Sequence, residues 1–162
     1  MHILFLCTGN SCRSILAEAT FNQLAAIGGC SDWRASSAGS HPSGEVHPRS
    51  LALLEAEGIA TAGLHSKSWH DLPQTPDIVI TVCASAAGET CPVYLGQAMR
   101  SHWGVDDPAR VSGSDAEIYA AFEQAYRTLR ARIEALLRVP LHTLQQDPAQ
   151  LQTALNNIAL IT

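Results

Sequence analysis

Three groups of residues have the types and spacing for covalent and acid–base chemistry. The first is the run Cys7-Thr8-Gly9-Asn10-Ser11-Cys12-Arg13-Ser14. It follows the apolar Ile3-Leu4-Phe5-Leu6 and leads into Ile15-Leu16-Ala17-Glu18-Ala19, a strand–loop–helix pattern. A loop so placed turns backbone N–H groups inward at the positive end of a helix, which suits an oxyanion. Cys7 opens the loop and Arg13 lies six positions later, so thiol and guanidinium face one bound anion. A helix start and a nearby guanidinium favour the nucleophilic thiolate form of a cysteine. The planar fork of Arg13 grips two oxygens of a tetrahedral ion at once. The second group is Cys83 and Cys91, with seven residues between them, and the third is Asp106-Asp107-Pro108.

The elements that must position these residues alternate between strand and helix. Residues 15–27 read as a helix ended by Gly28-Gly29, and Trp33–Ala38 as a second strand. Pro48 starts a helix running to Glu57, which Gly58 caps, while residues 64–72 are short and mixed. Asp77–Val82, apolar almost throughout, has the pattern of a buried parallel strand and delivers Cys83 at its end. His102–Val105 reads as the last strand, followed by Asp106-Asp107-Pro108. A long amphipathic helix spans Ser114–Leu137, Pro140 interrupts, and residues 148–160 form one more helix. Such alternation predicts an α/β fold: a central, mainly parallel, four-stranded sheet flanked by helices. Ligands of such sheets sit at the carboxyl ends of the strands. Cys7, Cys83 and Asp107 all fall there.

Bulk composition excludes several classes. The 162 residues are 46% hydrophobic and 15% charged, as expected of one globular domain. A formal net charge of −5 leaves no general basic face for nucleic acid or an acidic membrane. The first apolar run ends at Leu6, too short for a signal peptide, and no run is long enough to span a bilayer, so a cytoplasmic location is expected. The five Cys (7, 12, 30, 83 and 91) are odd in number and irregularly spaced, which reads as free or redox-active thiols. Seven His residues show no ligand-pair spacing, so no metal site is expected. Cys12 reads as a packed thiol, Cys30 as incidental, and Arg127, Arg130, Arg132 and Arg138 as a solvated helix face.

The loop, followed by Ala17-Glu18-Ala19, resembles the phosphate-binding loop of the low-molecular-weight tyrosine phosphatase superfamily. That resemblance implies Cys7 as nucleophile, Arg13 as oxyanion clamp, Ser14 as the hydroxyl that supports the thiolate and Asn10 as the residue shaping the loop. The amides of Thr8, Gly9, Asn10, Ser11 and Cys12 form the cradle, and Glu18 and Ser37 match positions that support it. Thr81–Pro92 resembles the redox segment of the arsenate reductases built on the same fold, in which two further Cys relay an electron pair. Asp107-Pro108 is followed by Ala109-Arg110, where phosphatases of this type usually carry two Tyr. The resemblance covers about residues 1–138, which read as the catalytic domain. Residues 139–162 read as a helical extension without an assigned role.

Arsenate reduction is the activity implied. Cys7 attacks arsenic, Asp107 (Asp106 the fallback) protonates the departing oxygen, and Cys83 and then Cys91 carry the disulfide. No cofactor is implied beyond an external dithiol: thioredoxin suits an internal disulfide, glutathione with glutaredoxin a mixed one. If residues 84–89 are helical, Cys83 and Cys91 are roughly 12 Å apart, against the 5.5–6 Å or so of a disulfide, so the segment is expected to refold near Gly88. Two alternatives stay open: a tyrosine phosphatase on the same loop, and a non-catalytic oxyanion-binding module.

Overall fold

The computed structural model describes residues 1–30, 32–84, 86, 98–140 and 146–162. Strand β1 (His2–Cys7) is followed by α1 (Arg13–Ile27), β2 (Arg34–Gly39), α2 (Pro48–Ala56), β3 (Ile78–Thr81), β4 (Met99–His102), α3 (Asp115–Arg138) and α4 (Pro148–Ile158). The strands form one parallel sheet in the order β2-β1-β3-β4. β1 is the central strand where the order reverses, and a crevice opens at the carboxyl ends beside such a switch point. In register, Cys7 pairs with Gly39, Leu6 with Thr81, and Thr81 with His102, so the loops after β1, β2, β3 and β4 leave one edge together.

β1 is buried on both faces, which is why its sequence is continuously apolar rather than alternating. Ile3 and Phe5 join the larger core with Leu16 and Phe21 of α1, Phe122, Leu129 and Ile133 of α3, and Leu155 of α4. Leu4, Leu6 and Val79 point the other way, against Trp69 and Ala98. At about 1.5–3 kcal/mol for each fully buried large apolar side chain, this packing supplies the main favourable term.

Local signals set the helix ends. His47 caps α2, its Nδ1 accepting from Arg49 N at 3.2 Å, and Pro48 occupies the first turn where its missing N–H costs nothing. Ser114 and Glu117 form a reciprocal capping box at the start of α3. Asp147 caps α4, which again starts with Pro. Beyond Arg138 the chain returns to the same core: Trp103 Nε1 and Ser101 Oγ both donate to Leu155 O, at 3.3 and 3.4 Å.

Two expectations need correction. The last strand is Met99–His102, not His102–Val105. Trp103 and Val105 still donate to the carbonyls of Thr81 and Val82, but the strand begins earlier, on a partly polar edge that carries no apolar signal. Arg132 is not part of a solvated face, being only 5% exposed. Arg127, Arg130 and Arg138 do pair with Glu123 or Glu134 on the surface. Arg132 instead shares the inward stripe Phe122, Ala125, Leu129, Leu136, at spacings of three and four residues.

Candidate active site

The loop between β1 and α1 is shaped by what holds its carbonyls. Thr8 O, Gly9 O and Ser11 O accept from the backbone N–H groups of His41, Ser43 and His47, at 2.9, 2.9 and 3.0 Å. A trans peptide points its N–H opposite to its C=O, so fixing these carbonyls outward aims the following amides into the loop. Asn10 N does so, donating to Cys7 Sγ at 3.1 Å. Asn10 is the only non-glycine among the described residues with positive φ, at 44°. Asn tolerates that backbone better than most residues.

The loop packs directly on the end of β2. A Cβ at Gly39 would lie 2.4 Å from Thr8 O and 3.0 Å from Asn10 N, so only glycine allows the approach.

A chain of polar side chains runs from the loop to the surface. Asn10 Nδ2 donates to Ser14 Oγ at 2.9 Å and to Ser37 Oγ at 2.8 Å. Each serine accepts from Asn10 and is left with its own proton to give. Ser14 Oγ lies 2.9 Å from Cys7 Sγ, and Ser37 donates to Glu18 Oε2 at 2.5 Å. Lys67 closes the chain, its Nζ 3.2 Å from Glu18 Oε2 and its backbone N donating to Asn10 Oδ1 at 2.8 Å. The buried polar atoms of Asn10 are thereby paired, and Cys7 Sγ is presented with two donors.

Arg13 is turned toward the mouth. Its Nη2 lies 2.8 Å from Asp107 Oδ2 and its Nη1 donates to Val105 O at 2.9 Å. Asp107 Oδ1 accepts from Ala109 N at 3.2 Å, and Arg110 Nε lies 3.7 Å from Asp107 Oδ2. A cleft of ≈ 400 Å³ is lined here by Thr8, Arg13, Cys83 and Asp107 among others. Cys83 Sγ lies 3.6 Å from Thr8 Oγ1 and accepts from Ala86 N at 3.3 Å, so a buried thiol from outside the loop stands against it.

Residues 2–150 match the family model described as low molecular weight phosphotyrosine protein phosphatase. The chain belongs to that family. Among curated relatives of this phosphatase-family chain, the arsenate reductase of Shouchella clausii (strain KSM-K16) is 35% identical over 133 residues, 82% of this chain and 91% of that one. A solved structure described as an arsenate reductase in the phosphate binding state has a TM-score of 0.68 and 27% identity, covering 84% of this chain and 95% of that one. The thioredoxin-dependent arsenate reductase of Corynebacterium glutamicum has a TM-score of 0.55 and 27% identity, covering 82% of this chain and 61% of the other.

In this phosphatase-family chain Cys7, Arg13, Ser14, Cys83 and Asp107 gather at one edge of the sheet. Cys91 lies outside the described residues, as does most of the segment expected to refold; Ala84 and Ala86 have helical backbone. Cys12 is buried near Ser50, and burial pushes its thiol up to about 11, so it is a protonated packing group at neutral pH. Asp106 is exposed, whereas Asp107 is the carboxylate on Arg13. Among the described residues no group of three or more His, Cys, Asp or Glu could hold a metal ion, and no helix is long and apolar enough to cross a membrane. Lys67 and Gly39 were not anticipated as parts of the site. Lys67 lies in the mixed segment 64–72, where nothing local marks it. Gly39 ends a strand, but its role comes from a contact with residues some thirty positions earlier.

Proposed function

We propose that this enzyme reduces arsenate to arsenite. The observation that carries the reading is Cys83, whose Sγ stands 3.6 Å from Thr8 on the oxyanion loop. Phosphate-ester hydrolysis has no use for a thiol brought to the loop from the end of another strand. The curated arsenate reductase relatives at about 35% identity support the same reading.

In the proposed sequence the loop amides and Arg13 hold the tetrahedral ion, and Cys7 thiolate forms a bond to As(V). Asp107 gives a proton to the departing oxygen, which leaves as water. Cys83 thiolate then attacks Cys7 Sγ. The electrons of the S–As bond pass to arsenic, arsenite departs as As(III), and a Cys7–Cys83 disulfide remains. Cys91 attacks Cys83, which frees Cys7 and leaves a Cys83–Cys91 disulfide for an external dithiol to reduce. An internal disulfide suits a dithiol protein such as thioredoxin, and a thioredoxin-dependent structural relative supports that partner. A glutathione–glutaredoxin couple is the other donor to test. Residues 1–138 carry every residue in this scheme, and residues 139–162 take no chemical part in it.

The ion pair between Arg13 and Asp107 gives this account a closed resting state. In this reading Arg13 turns from Asp107 and Val105 to the oxyanion, which frees Asp107 to serve as the acid. Phosphotyrosine hydrolysis is the rival activity, because it uses the same nucleophile and clamp. The exposed Ala109 and Arg110 after Pro108 offer no aromatic wall for a tyrosine ring. One preparation of reduced protein assayed for arsenite release with thioredoxin, and for p-nitrophenyl phosphate hydrolysis without it, separates the two. The proposal expects efficient arsenite release. Hydrolysis with no arsenite would identify a phosphatase.

A further inference from the structure

A second cavity, of ≈ 360 Å³, backs onto the active-site cleft. Val105, Asp106 and Asp107 line both spaces, so this segment is their common wall. The opposite wall is the face of α3 that carries Ala121, Ala125, Thr128 and Arg132.

Arg132 is the unusual group. Its Nε donates to Ile161 O at 2.9 Å and its Nη1 to Gly104 O at 3.2 Å, both neutral carbonyls. Among the described residues none of its contacts is with a carboxylate, although the chain carries an acidic excess. Burial alone acts on its guanidinium, drawing its pKa down. Buried charges are ordinarily paired, because an unmatched one loses its hydration without compensation. Here the charge is intact, its hydrogen bonds are to dipoles only, and a cavity lies beside it.

We propose that this cavity binds a small organic monoanion, a carboxylate on a short apolar body, with Arg132 as its counter-ion. The walls argue for the apolar body: Val105, Pro108, Val111 and Ala125 supply hydrocarbon, and the volume lies within the range of small-molecule sites. They argue against an inorganic dianion, which needs more donors than one guanidinium supplies. That wall also carries Val105 O and the Asp107 carboxylate, the two groups that hold Arg13. An occupant that shifts it alters the release of Arg13, and so the affinity of the Cys7 loop for oxyanions. Coupling of this kind is reciprocal. The inference does not depend on the reductase reading, because its tests measure binding alone.

The test titrates benzoate into the reduced full chain, followed by amide chemical shifts. We expect saturable binding with a dissociation constant on the order of 1 mM, with shifts at Gln124, Thr128 and the 104–108 segment. Binding persists when orthophosphate saturates the Cys7 loop, and the benzoate affinity then changes severalfold. Benzyl alcohol, which lacks the charge, binds at least about tenfold more weakly. Arg132→Gln weakens benzoate binding by a similar factor, about tenfold. Because that variant also removes contacts to Gly104 and Ile161, Ala121→Phe provides a second route: it fills the cavity, leaves Arg132 in place and abolishes benzoate binding in a protein that still melts cooperatively. No saturable binding, simple displacement of benzoate by orthophosphate, equal binding of benzyl alcohol, or full binding to folded Ala121→Phe would each overturn the proposal.

Discussion

Arg13 and Asp107 clasp one another at 2.8 Å across the mouth of the oxyanion loop. In the proposed mechanism these two are the substrate clamp and the acid, so the charges that would act on the oxyanion are paired with each other in this structure. The pair is largely shielded, with side chains 13% and 26% exposed, so it is screened less than a surface pair.

Breaking that clasp separates binding from chemistry. Asp107→Asn removes the charge that competes for Arg13, so orthophosphate binds the loop more tightly and the KM for arsenate falls. The same change removes the acid, so kcat drops by about 10²-fold or more. Steady-state kinetics with a parallel phosphate titration reads both effects. A rise in KM with kcat unchanged would assign Asp107 to binding alone.

Gly39 sets the height of the loop. Gly39→Ala places a methyl group 2.4 Å from Thr8 O, against backbone that cannot rotate away. We expect destabilisation of about 1–3 kcal/mol by denaturant titration and loss of most oxyanion affinity. Wild-type phosphate binding in this variant would show that the loop is not braced by β2.

The buried thiol of Cys12 predicts an alkaline limit. Its folded pKa of about 11 lies above the reference value of 9.0, so the folded state holds the proton more tightly than the unfolded one. Its contribution to stability is fully present below pH 9.0 and is lost as pH rises through about 11. Thermal melts across that window should fall more steeply for the wild-type protein than for Cys12→Ala. Parallel pH profiles would contradict the assignment.

The order of the thiols can be read by trapping. Cys91→Ser should still release arsenite once, stopping as a Cys7–Cys83 disulfide that mass mapping detects. Cys83→Ser should stop earlier, with no arsenite. Sustained turnover by Cys91→Ser with thioredoxin would remove Cys91 from the relay.

Much of the site was legible because its signals are local. The strand, loop and helix around Cys7 lie in consecutive residues, and Cys83 follows an unmistakably apolar strand. β4 was displaced because an edge strand with exposed Arg100 and His102 lacks the apolar run that marks a buried one. Lys67 and Gly39 act through contacts distant in sequence. Arg132 was different: its spacing from Leu129 and Leu136 placed it on the inward stripe, but reading charge as exposure hid it.

In the proposed relay Cys83 and Cys91 supply two electrons, which reach arsenic through Cys7 of the oxyanion loop. The most direct test of that relay mixes fully reduced chain with one equivalent of arsenate and no external reductant, then counts arsenite and thiols. We expect about one As(III) per chain, the loss of about two thiols and a Cys83–Cys91 disulfide. Recovery of all arsenic as As(V), with every thiol still titrating, would contradict it.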